Sequence, residues 1–105
     1  MINSTREEHA IVVHFKYNKK TLDPLQKLES QLSQIIEENS LGEYDGHEIA
    51  KDTNGFIYMY GSNAEHLFKA VKPVLDKTDF MKGAIALLRF GGPGASDIEV
   101  EVGTD

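Results

Sequence analysis

The sequence predicts an α+β domain in which an antiparallel β-sheet carries two helices on one face. Three observations carry that prediction. Two stretches repeat apolar residues at helical spacing, five short stretches alternate or are rich in β-branched and aromatic residues, and the two kinds interleave along the chain.

His9 to Tyr17 alternates, with Ile11, Val13, Phe15 and Tyr17 on one side and Ala10, Val12, His14 and Lys16 on the other. Both sides are fairly apolar, which predicts a strand at the centre of the sheet. After the connector Asn18 to Leu22, Asp23 reads as a helix N-cap, Pro24 as the first helical residue and Gln26 as a capping-box partner. Leu25, Leu28, Leu32, Ile35 and Ile36 then form one apolar stripe over Asp23–Glu38, with Lys27, Glu29, Gln31 and Glu37 on other faces. Gly42 follows as a break.

Gly42 to Ala50 reads as a polar second strand at a sheet edge. Lys51 to Gly55 reads as a hairpin loop, because Asn54-Gly55 tolerates positive φ. Phe56 to Tyr60 is the third strand, rich in aromatic and β-branched residues. Ser62 and Glu65 form a capping box for a second helix reaching Leu75, with Ala64, Leu67, Phe68, Val71 and Leu75 as its buried stripe and Pro73 bending or ending it. Asp76 to Gly83 is a loop that tucks Phe80 and Met81 under a helix end. Ala84 to Phe90 is the fourth strand, Gly91 to Gly94 a turn, and Asp97 to Val102 a short fifth strand. The order β-α-β-β-α-β plus a C-terminal strand is that of a ferredoxin-like split βαβ fold. With 105 residues the chain is expected to be a single domain, residues 1–8 forming a flexible N-terminus.

Composition narrows the function. The absence of cysteine removes disulfides, thiolate nucleophiles and cysteine-ligated metal or iron–sulfur centres, and fits a reducing compartment. The start, Met1 to Glu8, is polar and unlike a secretory signal, and no apolar run has membrane-spanning length, so the expected location is cytoplasmic. With 17 acidic against 11 basic residues the net charge is −6, which argues against nucleic acid and anionic membranes as partners.

Several fragments belong together: Gly42-Glu43-Tyr44-Asp45-Gly46-His47-Glu48, Tyr58-Met59-Tyr60-Gly61, Leu67-Phe68 with Val71, Pro73 and Leu75, and Arg89-Phe90-Gly91-Gly92-Pro93-Gly94. On these the chain resembles a family of small uncharacterised bacterial α+β proteins, over roughly residues 9–102. The family has no established activity. The resemblance implies a bacterial single-domain protein of ferredoxin-like fold and assigns no catalytic residue.

Chemistry-bearing residues gather in the second and third strands. Regular alternation puts Asp45, His47 and Ile49 on one face, and Tyr44, Gly46 and Glu48 on the other. Asp45 and His47 at that spacing have the makings of a chelating or acid–base pair, with His14 or His66 as a third ligand. A polar edge strand that repels strand addition explains them more simply, so neither a metal nor another cofactor is expected. The glycines at 91, 92 and 94 lead into a strand rather than a helix and read as a turn, not a phosphate cradle. The start of helix two has the dipole for weak anion binding, but its capping residues account for that start. Phe56, Tyr58 and Tyr60 resemble the stacking platform of RNA-recognition domains without the basic surround those domains use.

The expected function is therefore that of a small acidic protein-binding module rather than an enzyme. In its most specific form it is an immunity or inhibitor-type protein docking on a basic bacterial toxin or nuclease through Glu43, Tyr44, Asp45, His47, Glu48, Tyr58 and Tyr60. The alternatives are a ligand-sensing or homodimerising domain, and a small enzyme using Asp45 and His47.

Overall fold

A computed structural model describes residues 8–103 of the chain. The N-terminal arm expected over residues 1–8 lies, apart from Glu8, outside the described residues. The class is α+β. β1 (His9–Lys16), α1 (Asp23–Glu38), β2 (Glu43–Ile49), β3 (Asn54–Gly61), α2 (Ala64–Lys77), β4 (Ile85–Arg89) and β5 (Asp97–Glu101) follow in that order, and a single 3-10 turn at Asp79–Met81 precedes β4. The five strands form one sheet in the order β2-β3-β1-β4-β5, every neighbouring pair antiparallel. β1 is central and β2 is at an edge, as their apolar and polar compositions predict.

Alternation decides what each strand buries. Ile11, Val13 and Phe15 of β1, Ile57 and Met59 of β3, and Ala86 and Leu88 of β4 point to one face and are buried there. Against them pack Leu25, Leu28, Leu32 and Ile36 of α1 and Ala64, Leu67, Val71 and Leu75 of α2, all in the same core cluster. Both amphipathic stripes are thus spent on one side of the sheet. Tyr17, Phe80 and Met81 close the core's lower end: Tyr17 and Phe80 meet edge to face at 5.1 Å, and Met81 is fully buried.

Three local expectations need correction. Asp23 is the first residue of α1, not its cap; Leu22 occupies that position and caps nothing with its side chain, so the helix starts on Pro24 geometry and an acidic first turn. Helix α2 is capped by Asn63, whose side chain accepts from the His66 amide at 3.0 Å, while His9 Nδ1 accepts from the Ala64 amide at 3.0 Å. The helix then runs through Pro73 to Lys77, where Thr78 Oγ1 donates to the Val74 carbonyl. In the β2–β3 hairpin it is Thr53 that takes positive φ (72°), not Asn54-Gly55. Gly55 is already inside β3, and a Cβ there would stand 2.7 Å from the Phe15 ring.

Asp76 ties the end of α2 to the C-terminal end of β5. It accepts from Lys72 Nζ at 2.6 Å and from the Gly103 amide at 2.8 Å, and these two donors hold its carboxyl below the usual carboxylate range. A carboxylate whose folded value is lowered contributes stability above its unfolded value and loses it as pH falls through the folded one. Asp76→Asn should therefore flatten the acid limb of a stability-versus-pH curve and leave the alkaline limb unchanged, as urea melts between mildly acid and neutral pH would show. An acid limb identical to that of the unmodified chain would mean the tie adds nothing.

Candidate protein-docking face

With both helices on one side, the other side of the sheet carries no helix among the described residues. The strand registers place its side chains in rows. Glu43, Tyr60, Ala10, Arg89 and Asp97 form the first row across the five strands. Gly46, Tyr58, Val12, Leu87 and Glu99 form the second, and Glu48, Phe56, His14, Ile85 and Glu101 the third. The pattern follows strand by strand. Apart from Arg89 at one end of β4, the three central strands contribute aromatic and aliphatic groups, while the two edge strands, apart from Gly46, contribute carboxylates. Val12, Phe56, Tyr58, Tyr60, Ile85 and Leu87 are each half-buried by their neighbours, and Glu43, Glu48, Asp97, Glu99 and Glu101 are exposed.

Local contacts stiffen this face. His14 stacks on Phe56 with centroids 4.8 Å apart, and its Nε2 donates to Asn54 Oδ1 at 2.8 Å. Tyr58 OH donates to Glu48 Oε1 at 2.6 Å, and that bond, with partial burial and the charge of Glu48, pushes the phenol up to about 12. Tyr58 is therefore a neutral phenol at neutral pH, held toward the β2 edge. Arg89 Nε donates to the Gly91 carbonyl at 2.7 Å. An open depression of about 460 Å³ at one end of the face is lined by Glu8, Glu43, Asp45, Tyr60, Arg89 and Pro93. A second of about 410 Å³ lies over Gly46, where β2 has no side chain, between Asp45, His47, Glu48, Tyr58 and Tyr60.

β2 does not alternate regularly. A bulge shifts the register between Tyr44, opposite Met59, and Gly46, opposite Tyr58, and Gly46 sits there at a φ of 122°. As a result Tyr44 and His47, three residues apart, both turn to the helix-covered face. There Glu29 Oε2 of α1 accepts from Tyr44 OH at 2.5 Å and from His47 Nδ1 at 2.8 Å. The Glu29 carboxylate can only accept, so His47 carries its proton on Nδ1 in this arrangement. Burial, and then the bond to Glu29 and its charge, push the Tyr44 phenol well above its ordinary value.

The structure thus divides the residues expected to act together. Glu43, Asp45, Glu48, Tyr58 and Tyr60 border the open face, whereas Tyr44 and His47 belong to the link between β2 and α1. The expected facing of Asp45 with His47 is overturned by the bulge, and His47 finds its carboxylate in Glu29 instead. His14 is engaged on the open face, and among the described residues no three metal-capable side chains come together. At the start of α2 the amides of Ala64 and His66 are taken by His9 and Asn63. Gly91 to Gly94 is the turn between β4 and β5, where Phe90 and Ser96 close the hairpin. Sequence reasoning passed over Glu29, although its position four after Leu25 and three before Leu32 puts it on the border of the buried stripe. It also passed over Ile85 and Leu87, whose alternation with buried Ala86 and Leu88 marks them as open-face residues.

Among the described residues no helix is long and apolar enough to cross a membrane. The chain matches no protein-family model, no curated protein and no solved structure.

Proposed function

We propose that this protein is a non-enzymatic docking module that binds a basic protein through the open face of its sheet, in the manner of an inhibitor or immunity protein acting in the bacterial cytoplasm. The observation that carries this reading is the row pattern: a largely apolar and aromatic centre, with Arg89 at one end beside Asp97, between two columns of carboxylates. Such a centre supplies contact area and anchors, while the carboxylates steer a cationic partner and reject anionic ones. Tyr58 and Tyr60 are the anchors, a role that Tyr44 gives up by turning to Glu29.

The charge also separates this reading from its rivals. A nucleic acid would bring its phosphates against both acidic columns, so stacking on Phe56, Tyr58 and Tyr60 would work against repulsion. A second copy fares no better. Pairing two such faces about a two-fold axis along the strands lays β2 over β5, and an axis across them lays each edge strand over itself. Either way carboxylates meet carboxylates.

The finer description of the fold as a ferredoxin-like split βαβ unit with an added strand belongs to the same proposal. It is supported by the run β4-β1-β3-β2 within the sheet, with α1 joining β1 to β2 and α2 joining β3 to β4. Membership of the small bacterial family resembled by the Glu43–Glu48, Tyr58–Gly61 and Arg89–Gly94 segments is proposed with it.

The test uses proteins captured from a bacterial lysate, followed by binding kinetics with the captured partner. Reversing Glu43, Asp45 and Glu48 together should slow association about tenfold at low salt and far less at high salt, because exposed charges act over about 10 Å at 0.1 M. Tyr58→Ala should instead speed dissociation. Binding unchanged by both variants would overturn the docking face.

A further inference from the structure

We infer that the partner element this face accepts is a single amphipathic helix with basic flanks, lying along the strands above β1. The inference rests on the docking reading and adds the shape of what docks. The apolar centre is three strands wide, β3, β1 and β4, or about 10 Å between the outer two at ordinary strand spacing. That is the width of one α-helix with its side chains. β1 is the middle strand of five, so the carboxylate columns of β2 and β5 stand at equal distances of about 10 Å on either side of it.

A helix above β1 would press one apolar stripe onto Tyr58, Val12 and Leu87, the middle row, with Phe56 and Ile85 below and Tyr60 above. Lysine or arginine on its two flanks then reaches Glu43 and Glu48 on one side and Asp97, Glu99 and Glu101 on the other. Three rows at two residues each extend about 14 Å along the strands, or between two and three helical turns. The result is a third layer on a sheet that already has one helical layer, a stable way to cover a face apolar at its centre.

The competing mode, addition of a partner strand at a sheet edge, fits less well. β2 is interrupted by its bulge, and both edge strands carry the charges that discourage strand pairing. Edge addition would also leave the apolar centre uncovered.

The probes are two synthetic peptides of about 18 residues, five helical turns, with identical leucine and lysine content. One is patterned for a helix with a leucine stripe between lysine flanks, and the other alternates leucine and lysine as a strand. Amide shifts of the isotopically labelled full chain are followed by NMR on titration, with circular dichroism of the mixture. The helix-patterned peptide should move Val12, Tyr58 and Leu87 and gain helicity on binding. Glu48→Lys and Glu99→Lys, one on each column, should each weaken it about tenfold, since both flanks are engaged. Stronger binding by the alternating peptide, with shifts confined to an edge strand, overturns the helix. So does loss of affinity on one column alone, or absence of binding by the helical peptide. Open-face shifts that grow with protein concentration and no peptide would make a second copy the occupant and likewise overturn it. If a captured partner is nonetheless lost on Tyr58→Ala, only the helix falls and the docking face stands.

Discussion

Replacing Leu32 by alanine is expected to cost about 2 to 5 kcal/mol, the range of leucine truncations in well-packed cores. Leu32 is fully buried in the middle of the α1 stripe and belongs to the same cluster as Ile11, Val13, Ile57 and Met59. The loss combines the transfer free energy of the removed carbons with the cavity left where helix and sheet cannot close up. Domains of this size are stable by only about 5 to 15 kcal/mol, so the variant would melt at much lower urea with an unchanged slope. Ile98→Ala is the control. Ile98 is 51% exposed on β5, and its truncation should fall within about 0.5 kcal/mol of zero, as surface changes do. A Leu32→Ala midpoint near that of the control would mean that α1 does not pack as described.

Glu29→Ala should be the most damaging change to a polar residue, at about 1 to 3 kcal/mol, because it removes one acceptor from two donors at once. Tyr44 OH and His47 Nδ1 both rely on Glu29 Oε2, and the carboxylate is 17% exposed. Glu29→Gln keeps a carbonyl oxygen at that place and should recover part of the loss. Tyr44→Phe removes only one donor and should cost about 1 kcal/mol or less. The pair Glu29→Ala and Tyr44→Phe should be strongly non-additive in a double-mutant cycle, since the second change relieves a donor that the first strands. Additive losses would mean that water satisfies the phenol and that the network is not a unit. Amide exchange should rise in β2 before it rises in β1, since this network and the pairing with β3 are what hold the edge strand.

These residues also mark where the sequence was legible. Leu25, Leu28, Leu32 and Ile36 repeat at the helical period, and Ile11, Val13 and Phe15 at the strand period, so the elements and the buried face of each could be read directly. The ends were harder. Asp23 and Ser62 look like caps because of their chemistry, but a cap is chosen by where the backbone leaves the helix, and that falls at Leu22 and Asn63. Asn54-Gly55 has the composition of a turn and lies in a strand, since the bend is taken by Ala50 to Thr53. For the site, the acids and tyrosines were visible, and their division between faces was not. Alternation assumes one residue per position, and nothing in Glu43 to Ile49 announces that two residues oppose Tyr58. That both helices would choose the same side, leaving Val12, Tyr58 and Leu87 open, is a property of the packed whole.

The bulge in β2 has a consequence for how this chain would be compared with others. Asp45 is the supernumerary residue of the strand: remove it, and Tyr44 still faces Glu29, Gly46 still lies over Tyr58's row, and His47 still turns inward. A homologue shorter by one residue here would keep every remaining side chain on its own face, whereas a deletion elsewhere in the strand would invert all that follows it. Between such homologues the gap belongs inside the strand, at Asp45. Alignment by habit would push it into the hairpin after Ile49, mismatching His47 and Glu48 and hiding the kinship at the positions that distinguish the two faces.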